Sequence, residues 1–428
     1  MASSFLADEH ESIAMNRIDT QRPDAPELAA YGNYKVGVRT MTITNSNQID
    51  ILSIDPKAPK PDPKPRYNRK LKFEVWYPAS VESTGNTVLT TDLRDGKTQV
   101  NLHGKAMRDA TSYLGKFPLV IISHGYPGNR YLLSHLAENI ASKGYIVSSL
   151  DHTDSTYADQ AAFASTMVNR SYDQLFLLDQ MAGMSSGSGF LSGMVDADNS
   201  AVIGYSMGGY GAIITAGGGV TASAAATHFV PYGALDVHVA GTASHIALPD
   251  PRIKTAVAFA PWGMTHGIWD SVGLAGVQIP MMFIAGSEDD ISGYNPGIRN
   301  LWEGCVNVDR SLLTFENANH NAAAPIPAPE EALKTMAGGL SPYDHYADAV
   351  WDTVKMNNIA QHFVTAWLGK YLGRDPAMAA YLDLTPYANN SVWAQNEDGT
   401  FKAKHSYWKG FHNRTAKGLK FEVLPAEK

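Results

Sequence analysis

The sequence predicts an α/β fold in which a mainly parallel sheet is covered by helices on both faces. Three observations predict it. Short apolar runs alternate with longer segments of helical periodicity between residues 117 and 373. The apolar runs are continuous, which is typical of strands buried on both faces. A Gly-x-Ser-x-Gly motif at residues 204–208 lies between one such run and a helical segment, and functional groups in these sheets gather at the carboxyl ends of strands.

An antiparallel pair of strands is predicted ahead of the alternating region. Residues 36–43 and 71–77 alternate in polarity, and the proline-rich stretch 55–65 lies between them. Its prolines exclude both a helix and a central strand, so we expect an exposed loop. Residues 1–30 carry no periodic pattern and are predicted to form an N-terminal extension.

The alternating region is predicted to form one domain over residues 31–375. Residues 216–250 are rich in Gly, Ala, Thr and His, interrupt the pattern, and are predicted to be an insertion that covers the active site. Residues 376–428 are expected to be a C-terminal extension packed on the outside. The strands are predicted at 117–122, 145–150, 201–204, 254–260, 281–285 and 311–315, and the helices at 132–141, 166–181, 209–215 and 359–371.

The charge balance argues against two classes of partner. The chain has 34 Lys plus Arg against 42 Asp plus Glu, a net charge of −8. Nucleic acids and anionic membrane surfaces both need a concentrated basic face, so neither is expected as a partner. No apolar run is long enough to span a bilayer. The first ten residues lack the features of a secretion signal, which leaves open a cytoplasmic location and export after signal removal. The oligomeric state is not indicated.

The cysteine and histidine content predicts neither a disulfide nor a metal site. Cys305 is the only cysteine, so no internal disulfide can form, and we expect it to be buried. The histidines of the insertion, His228, His238 and His245, are irregularly spaced and have no cysteine beside them. That pattern does not match a zinc site, and no cofactor is predicted.

The motif at residues 204–208 makes Ser206 the candidate nucleophile. In Gly-x-Ser-x-Gly sites the serine lies on a sharp turn from strand to helix. The glycines let neighbouring backbone pass close to the serine, and the N-terminus of the following helix favours negative charge. A bare match arises by chance in a glycine-rich chain, but here a predicted strand precedes it and a predicted helix follows it.

His320 and an acidic residue after the preceding strand complete the candidate site. The expected chain order is nucleophile, acid, histidine, and His320 directly follows a predicted strand. The acid orients the histidine and stabilises its protonated form. Glu288, Asp289 and Asp290 compete for this role. Asp289 is favoured because the acid commonly lies three residues after the glycine, here Gly286, and a longer turn would select Asp290.

Two backbone N–H groups are the candidates for an oxyanion hole, which binds the tetrahedral intermediate of acyl transfer. One belongs to Met207, the residue after the nucleophile. The other is expected from the loop at residues 123–130, where Tyr126 is favoured because Pro127 has no N–H. His124, in the same loop, is predicted to be a structural donor.

The chain resembles the dienelactone-hydrolase-like and platelet-activating-factor acetylhydrolase-like branch of the α/β-hydrolases. The resemblance implies the α/β-hydrolase fold and hydrolysis of carboxylic esters by Ser206, Asp289 and His320, with Tyr126 and Met207 as oxyanion donors and no metal. Similar sequences also include hydrolases of polyesters and of oxidised polymers. The similar segments are Val36-Gly-Val-Arg-Thr, Glu74-Val-Trp-Tyr-Pro-Ala79, Ser123-His-Gly, Ala141-Ser-Lys-Gly-Tyr-Ile-Val147, Asp151-His152, Gly204-Tyr-Ser-Met-Gly-Gly209 and Asn319-His-Asn321.

One departure from that branch concerns the acid. The mammalian acetylhydrolase carries it after the strand that matches residues 256–260, where this chain reads Ala260-Pro261-Trp262. No carboxylate is available there, so the acid is expected from the next strand. Specificity for a phospholipid is therefore not implied.

The substrate is predicted only as a class. Trp262, at a strand end beside the site, either walls the substrate pocket or belongs to the core, and Phe229, Val230 and Tyr232 of the insertion are further candidate contacts. An aromatic and aliphatic lining favours a small or medium apolar ester. The same groups also serve amides, peptides, carbon–carbon bonds and polymeric esters. A non-catalytic binding protein would be expected to lack the nucleophile, base or acid.

Overall fold

The structure, a computed structural model, describes residues 16–160, 163–227, 230–334, 341–373 and 375–427. Residues 1–15 of the predicted N-terminal extension, and His228 and Phe229 of the predicted insertion, lie outside these ranges. The strands are β1 (Lys35–Ile49), β2 (Arg66–Ala79), β3 (Val88–Asp92), β4 (Gln99–His103), β5 (Met107–Arg108), β6 (Phe117–Ser123), β7 (Ile146–Asp151), β8 (Val195–Tyr205), β9 (Ile253–Phe259), β10 (Met281–Gly286), β11 (Arg310–Phe315) and β12 (Leu419–Leu424).

Helices fill the connections between these strands. The two longest, α2 and α9, follow β7 and precede the C-terminal segment, respectively. The helices are α1 (Ser134–Ala141), α2 (Phe163–Ser186), α3 (Met207–Thr215), α4 (Ala222–Ala225), α5 (Ala243–Ile246), α6 (Ser271–Leu274), α7 (Arg299–Gly304), α8 (Glu330–Lys334), α9 (Thr353–Tyr371) and α10 (Pro376–Ala379). Among the described residues no helix combines the length and apolar character that a bilayer crossing needs.

Ten of the described strands form one sheet in the order β12-β11-β10-β9-β8-β6-β7-β2-β1-β5, and β3 and β4 form a separate hairpin. From β7 through β11 each pair of neighbours is parallel. β2 joins β7, and β1 joins β2, in antiparallel register. The predicted mainly parallel sheet is confirmed, and the carboxyl ends of β6, β8, β9, β10 and β11 meet at one edge.

The sheet separates two apolar cores, which explains why its central strands show no alternation of polarity. In β6, Val120 and Ile122 belong to the core that contains Phe363 of α9. The intervening Ile121 belongs to the other core, with Leu177 of α2. All five side chains are fully buried. A strand covered by helices on both faces needs apolar residues at every position.

The C-terminal segment contributes a strand that the sequence prediction missed. β12 pairs antiparallel with β11 along the sheet edge. Phe421 is buried and stacks on Phe363 of α9, with 5.0 Å between the ring centroids. The alternation of Leu419 and Phe421 with Lys420 is a period-two signal that could have identified it. Part of the predicted C-terminal extension, strand β12, therefore belongs to the sheet itself.

The described part of the 216–250 segment packs against α2. Val230 is buried, and Nε2 of His238 donates to the carbonyl oxygen of Val168 at 2.8 Å. The Tyr232 hydroxyl donates to backbone carbonyls of the proline-rich loop, including that of Ala58. A covering role for this segment stays a prediction.

Candidate active site

Ser206 lies at the turn between β8 and α3 in a strained backbone conformation. Its φ is 53° and its ψ is −112°. A positive φ in such a sparsely populated region costs a residue with a side chain about 1–3 kcal/mol, so neighbouring groups must hold it. The Ser206 N–H donates to the carbonyl oxygen of Phe259 at 2.9 Å, and its carbonyl oxygen accepts the Trp262 N–H at 3.2 Å. The end of β9 thus supports the turn from both sides.

The glycines of the motif are required by close backbone contacts. A Cβ atom on Gly204 would lie 2.1 Å from the carbonyl oxygen of Gly208. One on Gly208 would lie 2.0 Å from the carbonyl oxygen of Ser123, at the end of β6. Neither distance is compatible with a side chain. The turn that carries Ser206 and the loop that follows β6 are therefore in direct contact.

His320 connects Ser206 to Asp289. Its Nε2 is 3.0 Å from Oγ of Ser206, and its Nδ1 is 3.0 Å from both carboxylate oxygens of Asp289. Asp289 is buried, and one oxygen also accepts the N–H groups of Ile291 and Ser292. An Nδ1–H donated to the carboxylate leaves Nε2 free to accept the serine proton. The structure brings Asp289, rather than Asp290, to the histidine.

The loop after β6 passes directly over Ser206. A Cβ atom on Gly125 would lie 3.3 Å from Cβ of Ser206, and the next residue, Tyr126, lines the same cleft as Ser206. Met207 is the first residue of α3, so its N–H has no acceptor within the helix. The two predicted oxyanion donors therefore belong to backbone segments adjacent to the serine.

A cleft of about 470 Å³ opens on Ser206 and His320. Its lining is more polar than the aromatic and aliphatic one expected from the sequence, and it includes four charged side chains. Neither Trp262 nor the described candidates of the insertion, Val230 and Tyr232, belong to it. The lining residues are Arg94, Gly125, Tyr126, Tyr205, Ser206, Asp290, Ile291, Asn319, His320, Asn321, Ser341, Tyr343, Asp344, His345, Ala347, Asp348 and Ala349.

One wall of this cleft, residues 341–349, was not predicted from the sequence. Asn321 holds this wall in place through two hydrogen bonds. The Asn321 Nδ2 donates to the carbonyl oxygens of Asp344 at 2.7 Å and Ala347 at 2.8 Å. Its Oδ1 accepts the hydroxyl of Tyr205 at 3.0 Å. The wall is thereby attached to the loop that carries His320.

Arg94 and His345 are further cleft residues that the sequence prediction missed. Nη1 of Arg94 donates to Nδ1 of His345 at 3.0 Å, and Nε2 of His345 donates to the Tyr157 hydroxyl at 2.8 Å. Burial, followed by the charge of Arg94, lowers the pKa of His345 well below its usual range, so its ring is neutral. Arg94 lies in the β3–β4 turn, whose Asp95-Gly96 pair is a hairpin signal.

A row of aromatic rings lies beside Ser206. The Tyr126 ring packs edge-on against Phe163 at 5.5 Å between centroids, and Phe163 packs on Trp262 at 5.2 Å. His266 continues the row, 4.5 Å from Trp262. The first three side chains are partly exposed and His266 is exposed. Trp262 is thus both a packing partner and accessible.

The described residues contain no group of three or more His, Cys, Asp or Glu side chains arranged to hold a metal ion. The two described histidines of the insertion bond to backbone carbonyls instead. His245 Nε2 donates to Gly217 O at 2.9 Å, as His238 does to Val168. Cys305 is buried, and burial raises the pKa of its thiol to about 12.

Comparison with known proteins relates the chain to esterases. A family described as "PETase: PET hydrolase-like" matches residues 97–236, which include Ser206 but neither Asp289 nor His320. Cutinase 2 of Thermobifida cellulosilytica is 23% identical over 204 residues, 47% of this chain and 60% of that protein. Cutinase cut1 of Thermobifida fusca is 23% identical over 204 residues, covering 49% of its length. The match thus spans about half of these relatives.

Among solved structures, a ferulic acid esterase from Streptomyces cinnamoneus has a similar fold. Its TM-score is 0.55 at 17% sequence identity, and the alignment covers 85% of this chain and 95% of that one. The α/β-hydrolase fold predicted from the sequence is therefore confirmed, and so is the resemblance to esterases of that fold.

Proposed function

We propose that this chain is a serine hydrolase of carboxylic esters, with Ser206 as nucleophile, His320 as general base and Asp289 as the orienting carboxylate. The observation that carries the proposal is the line of hydrogen bonds from Asp289 through His320 to Ser206, 3.0 Å at each step. It lies at the carboxyl edge of a parallel sheet, where sites in α/β proteins form. The similarity to proteins named as cutinases supports the same reaction class.

Acylation is the first half of the proposed reaction. Oγ of Ser206 attacks the ester carbonyl carbon while Nε2 of His320 takes the hydroxyl proton. The carbonyl oxygen becomes an oxyanion that accepts hydrogen bonds from the N–H groups of Tyr126 and Met207. The intermediate then collapses, its ester C–O bond breaks, and His320 gives the proton to the departing alcohol. The acyl group remains on Ser206.

Deacylation repeats the same proton transfers with water. His320 takes a proton from a water molecule as its oxygen attacks the acyl carbon, and the oxyanion forms again on the same N–H groups. Collapse of this intermediate returns the proton from His320 to Oγ of Ser206 and releases the carboxylic acid. The enzyme is then in its starting state.

The row of aromatic rings favours an ester with an aromatic group on one side. Tyr126, Phe163 and Trp262 present partly exposed rings next to Ser206. Offset and edge-on aromatic pairs gain about 0.5–1.5 kcal/mol beyond simple burial. The polar cleft, whose lining includes Arg94 and Asp290, suits the more hydrated part of the substrate.

Polymeric esters are the second candidate substrate class. The row of rings reaches exposed His266, so a long chain carrying repeated rings can extend along it. The match to a PET hydrolase-like family favours the same class. Release of soluble acid from polyester film, compared with hydrolysis of a soluble ester of the same acid, distinguishes the two.

The test of the proposed function is hydrolysis of p-nitrophenyl esters, acetate through decanoate and benzoate, by the wild type and two variants. Ser206→Ala is expected to lose nearly all activity. Ser148→Ala, which changes a buried serine of β7, is the matched control and should keep full activity. Turnover that persists in Ser206→Ala contradicts the assignment. Amide analogues with the same acyl group test whether the same site cleaves amides.

A further inference from the structure

A second Ser–His–Asp arrangement lies beneath the loop that passes over Ser206. Oγ of Ser123 is 2.8 Å from Nε2 of His152, and Nδ1 of His152 is 2.9 Å from the carboxylate of Asp173. Arg69 binds the same carboxylate through two nitrogen atoms, each at 2.8 Å. All four side chains are at most 1% exposed. No substrate can reach Ser123, so this network is structural and anchors the end of β6.

Arg170, which precedes Asp173 in α2, bonds directly to the loop itself. It is 1% exposed, and its Nη1 donates to the carbonyl oxygen of His124. Its Nη2 donates to the carbonyl oxygen of Gly125 at 3.0 Å and to Oγ of Ser155 at 2.7 Å. Gly125 O also accepts Nδ1–H of His124 at 2.7 Å. Two donors therefore hold one carbonyl of the loop.

That carbonyl belongs to the peptide group that carries the Tyr126 N–H. A trans peptide unit, like the one between Gly125 and Tyr126, is planar, and its C=O and N–H point in opposite directions. Fixing the Gly125 oxygen therefore fixes the direction of the Tyr126 N–H. A positive charge at the oxygen also polarises the amide and strengthens the donor at its other end.

We infer that Arg170 is a positioning residue for the oxyanion hole, acting through the Gly125–Tyr126 peptide. The inference rests on the proposed ester hydrolysis by Ser206. Helix packing supports it: a Cβ atom on Gly211, in α3, would lie 2.8 Å from Cβ of Arg170, so α2 passes close to the helix that follows Ser206. Arg170 thus bonds to the loop that carries the Tyr126 N–H and packs beside α3, the helix that begins at Met207.

The effect expected from Arg170 is smaller than that of losing a donor outright. Removal of one oxyanion donor lowers kcat by about 10²–10³-fold. Without Arg170 the Tyr126 N–H remains but its direction is less restricted, so we expect kcat to fall by about 10–100-fold. KM should change little, because a ground-state carbonyl depends less on this N–H than the oxyanion does.

The experiment compares Arg170→Lys and Arg170→Met with the wild type and with Arg310→Lys. Arg310 is the matched control: it is 2% exposed and donates to the carbonyls of Trp302 and Pro425 at the opposite end of β11 from the His320 loop. For each protein we would measure the unfolding midpoint, kcat and KM on one p-nitrophenyl ester. The inhibition constant of a trifluoromethyl ketone, which forms a tetrahedral adduct with serine, is measured in parallel.

We expect both Arg170 variants to lose kcat and inhibitor affinity by the same factor, with Lys less impaired than Met and KM within about threefold. Arg310→Lys should lose stability only. Unchanged kcat and inhibitor affinity in folded Arg170 variants would overturn the inference. If neither Arg170 variant folds, Ser155→Ala replaces them, because it removes one acceptor of the guanidinium. It should lower kcat and inhibitor affinity in parallel. Unchanged values in Ser155→Ala would then count against the role of Arg170. A wild type without Ser206-dependent turnover would instead reject the proposed function.

Discussion

Asp289 faces His320 symmetrically, with both carboxylate oxygens 3.0 Å from Nδ1 of the ring. One of these oxygens also accepts the N–H groups of Ile291 and Ser292, at 3.0 Å and 2.7 Å. The turn after β10 therefore orients the carboxylate, which in turn orients the histidine. Asp290, the next residue along, lines the open cleft instead.

This geometry predicts opposite results for two neighbouring substitutions. Asp289→Asn should lower kcat by about 10⁴-fold, because an amide supports the wrong tautomer of His320. Asp290→Asn should keep kcat within about threefold of the wild type, because Asp289 rather than Asp290 bonds to His320, and an effect of losing this cleft carboxylate should fall on KM. Steady-state kinetics on a p-nitrophenyl ester measure both. A larger loss in the Asp290 variant would transfer the role of the acid to that residue.

The row of aromatic rings predicts selectivity between acyl groups. Trp262→Ala should raise KM for p-nitrophenyl benzoate by about 2- to 10-fold, in line with 0.5–1.5 kcal/mol per aromatic contact. KM for the acetate should not change, because its acyl group is too small to reach the ring. Phe401→Ala is the control, since Phe401 is 56% exposed and lies in the C-terminal segment. Equal effects on both esters would exclude a contact with the acyl ring.

Because Asn321 attaches the cleft wall, its replacement by alanine should lower catalytic efficiency and, modestly, stability. Asn321→Ala removes the bonds to the carbonyls of Asp344 and Ala347 and leaves those groups without this donor. We expect kcat/KM to fall by about tenfold and the free energy of unfolding by about 1–3 kcal/mol. Asn307→Ala removes one exposed bond, to Ala275 O, and should change neither. Wild-type kcat/KM in Asn321→Ala would show that the wall needs no attachment.

The burial of the His135 ring predicts that the stability of the protein depends on pH. His135 is buried in α1, neither ring nitrogen has a hydrogen-bond partner among the residues that the structure describes, and burial lowers its pKa to about 3. The unfolded chain binds a proton below about pH 6.5, whereas the folded chain does not until about pH 3. The contribution of neutral His135 to the free energy of unfolding is therefore complete above about pH 6.5. It is lost progressively as the pH falls from about 6.5 to about 3.

Acidification from pH 8 to pH 5 should lower the contribution of His135 to the free energy of unfolding by about 2 kcal/mol. His135→Leu should remove that loss, so its urea midpoint should fall less than that of the wild type on acidification. His412→Leu, at an exposed position, should behave as the wild type does. Parallel midpoints of wild type and His135→Leu at the two pH values would contradict the prediction.

The strands and helices around the site could be predicted because their signals are local. Apolar runs buried on both faces marked β6 through β11, and the glycines around Ser206 marked a turn where a side chain would collide with backbone. β12 and the β3–β4 hairpin also carry local signals, an alternation at residues 419–424 and an Asp-Gly turn at 95–96, which the prediction overlooked.

The choice between Asp289 and Asp290 needed the folded turn. Both are aspartates one position apart, so spacing could not separate them. The structure separates them because Ile291 and Ser292 donate to Asp289 and aim its carboxylate at His320. The choice depends on the path of a few backbone atoms, for which side-chain types along the sequence carry little information.

The composition of the cleft depended entirely on long-range packing. Arg94 bonds to His345 across 251 positions of sequence, and Arg170 reaches Gly125 across 45. Sequence motifs and periodicity depend on residues a few positions apart, so they predict the turn at Ser206 and the strand before His320. Periodicity does not indicate which distant loops pack together around the two apolar cores. The turn that carries Ser206 could therefore be predicted from the sequence, whereas the groups that surround Ser206 depend on how the chain packs.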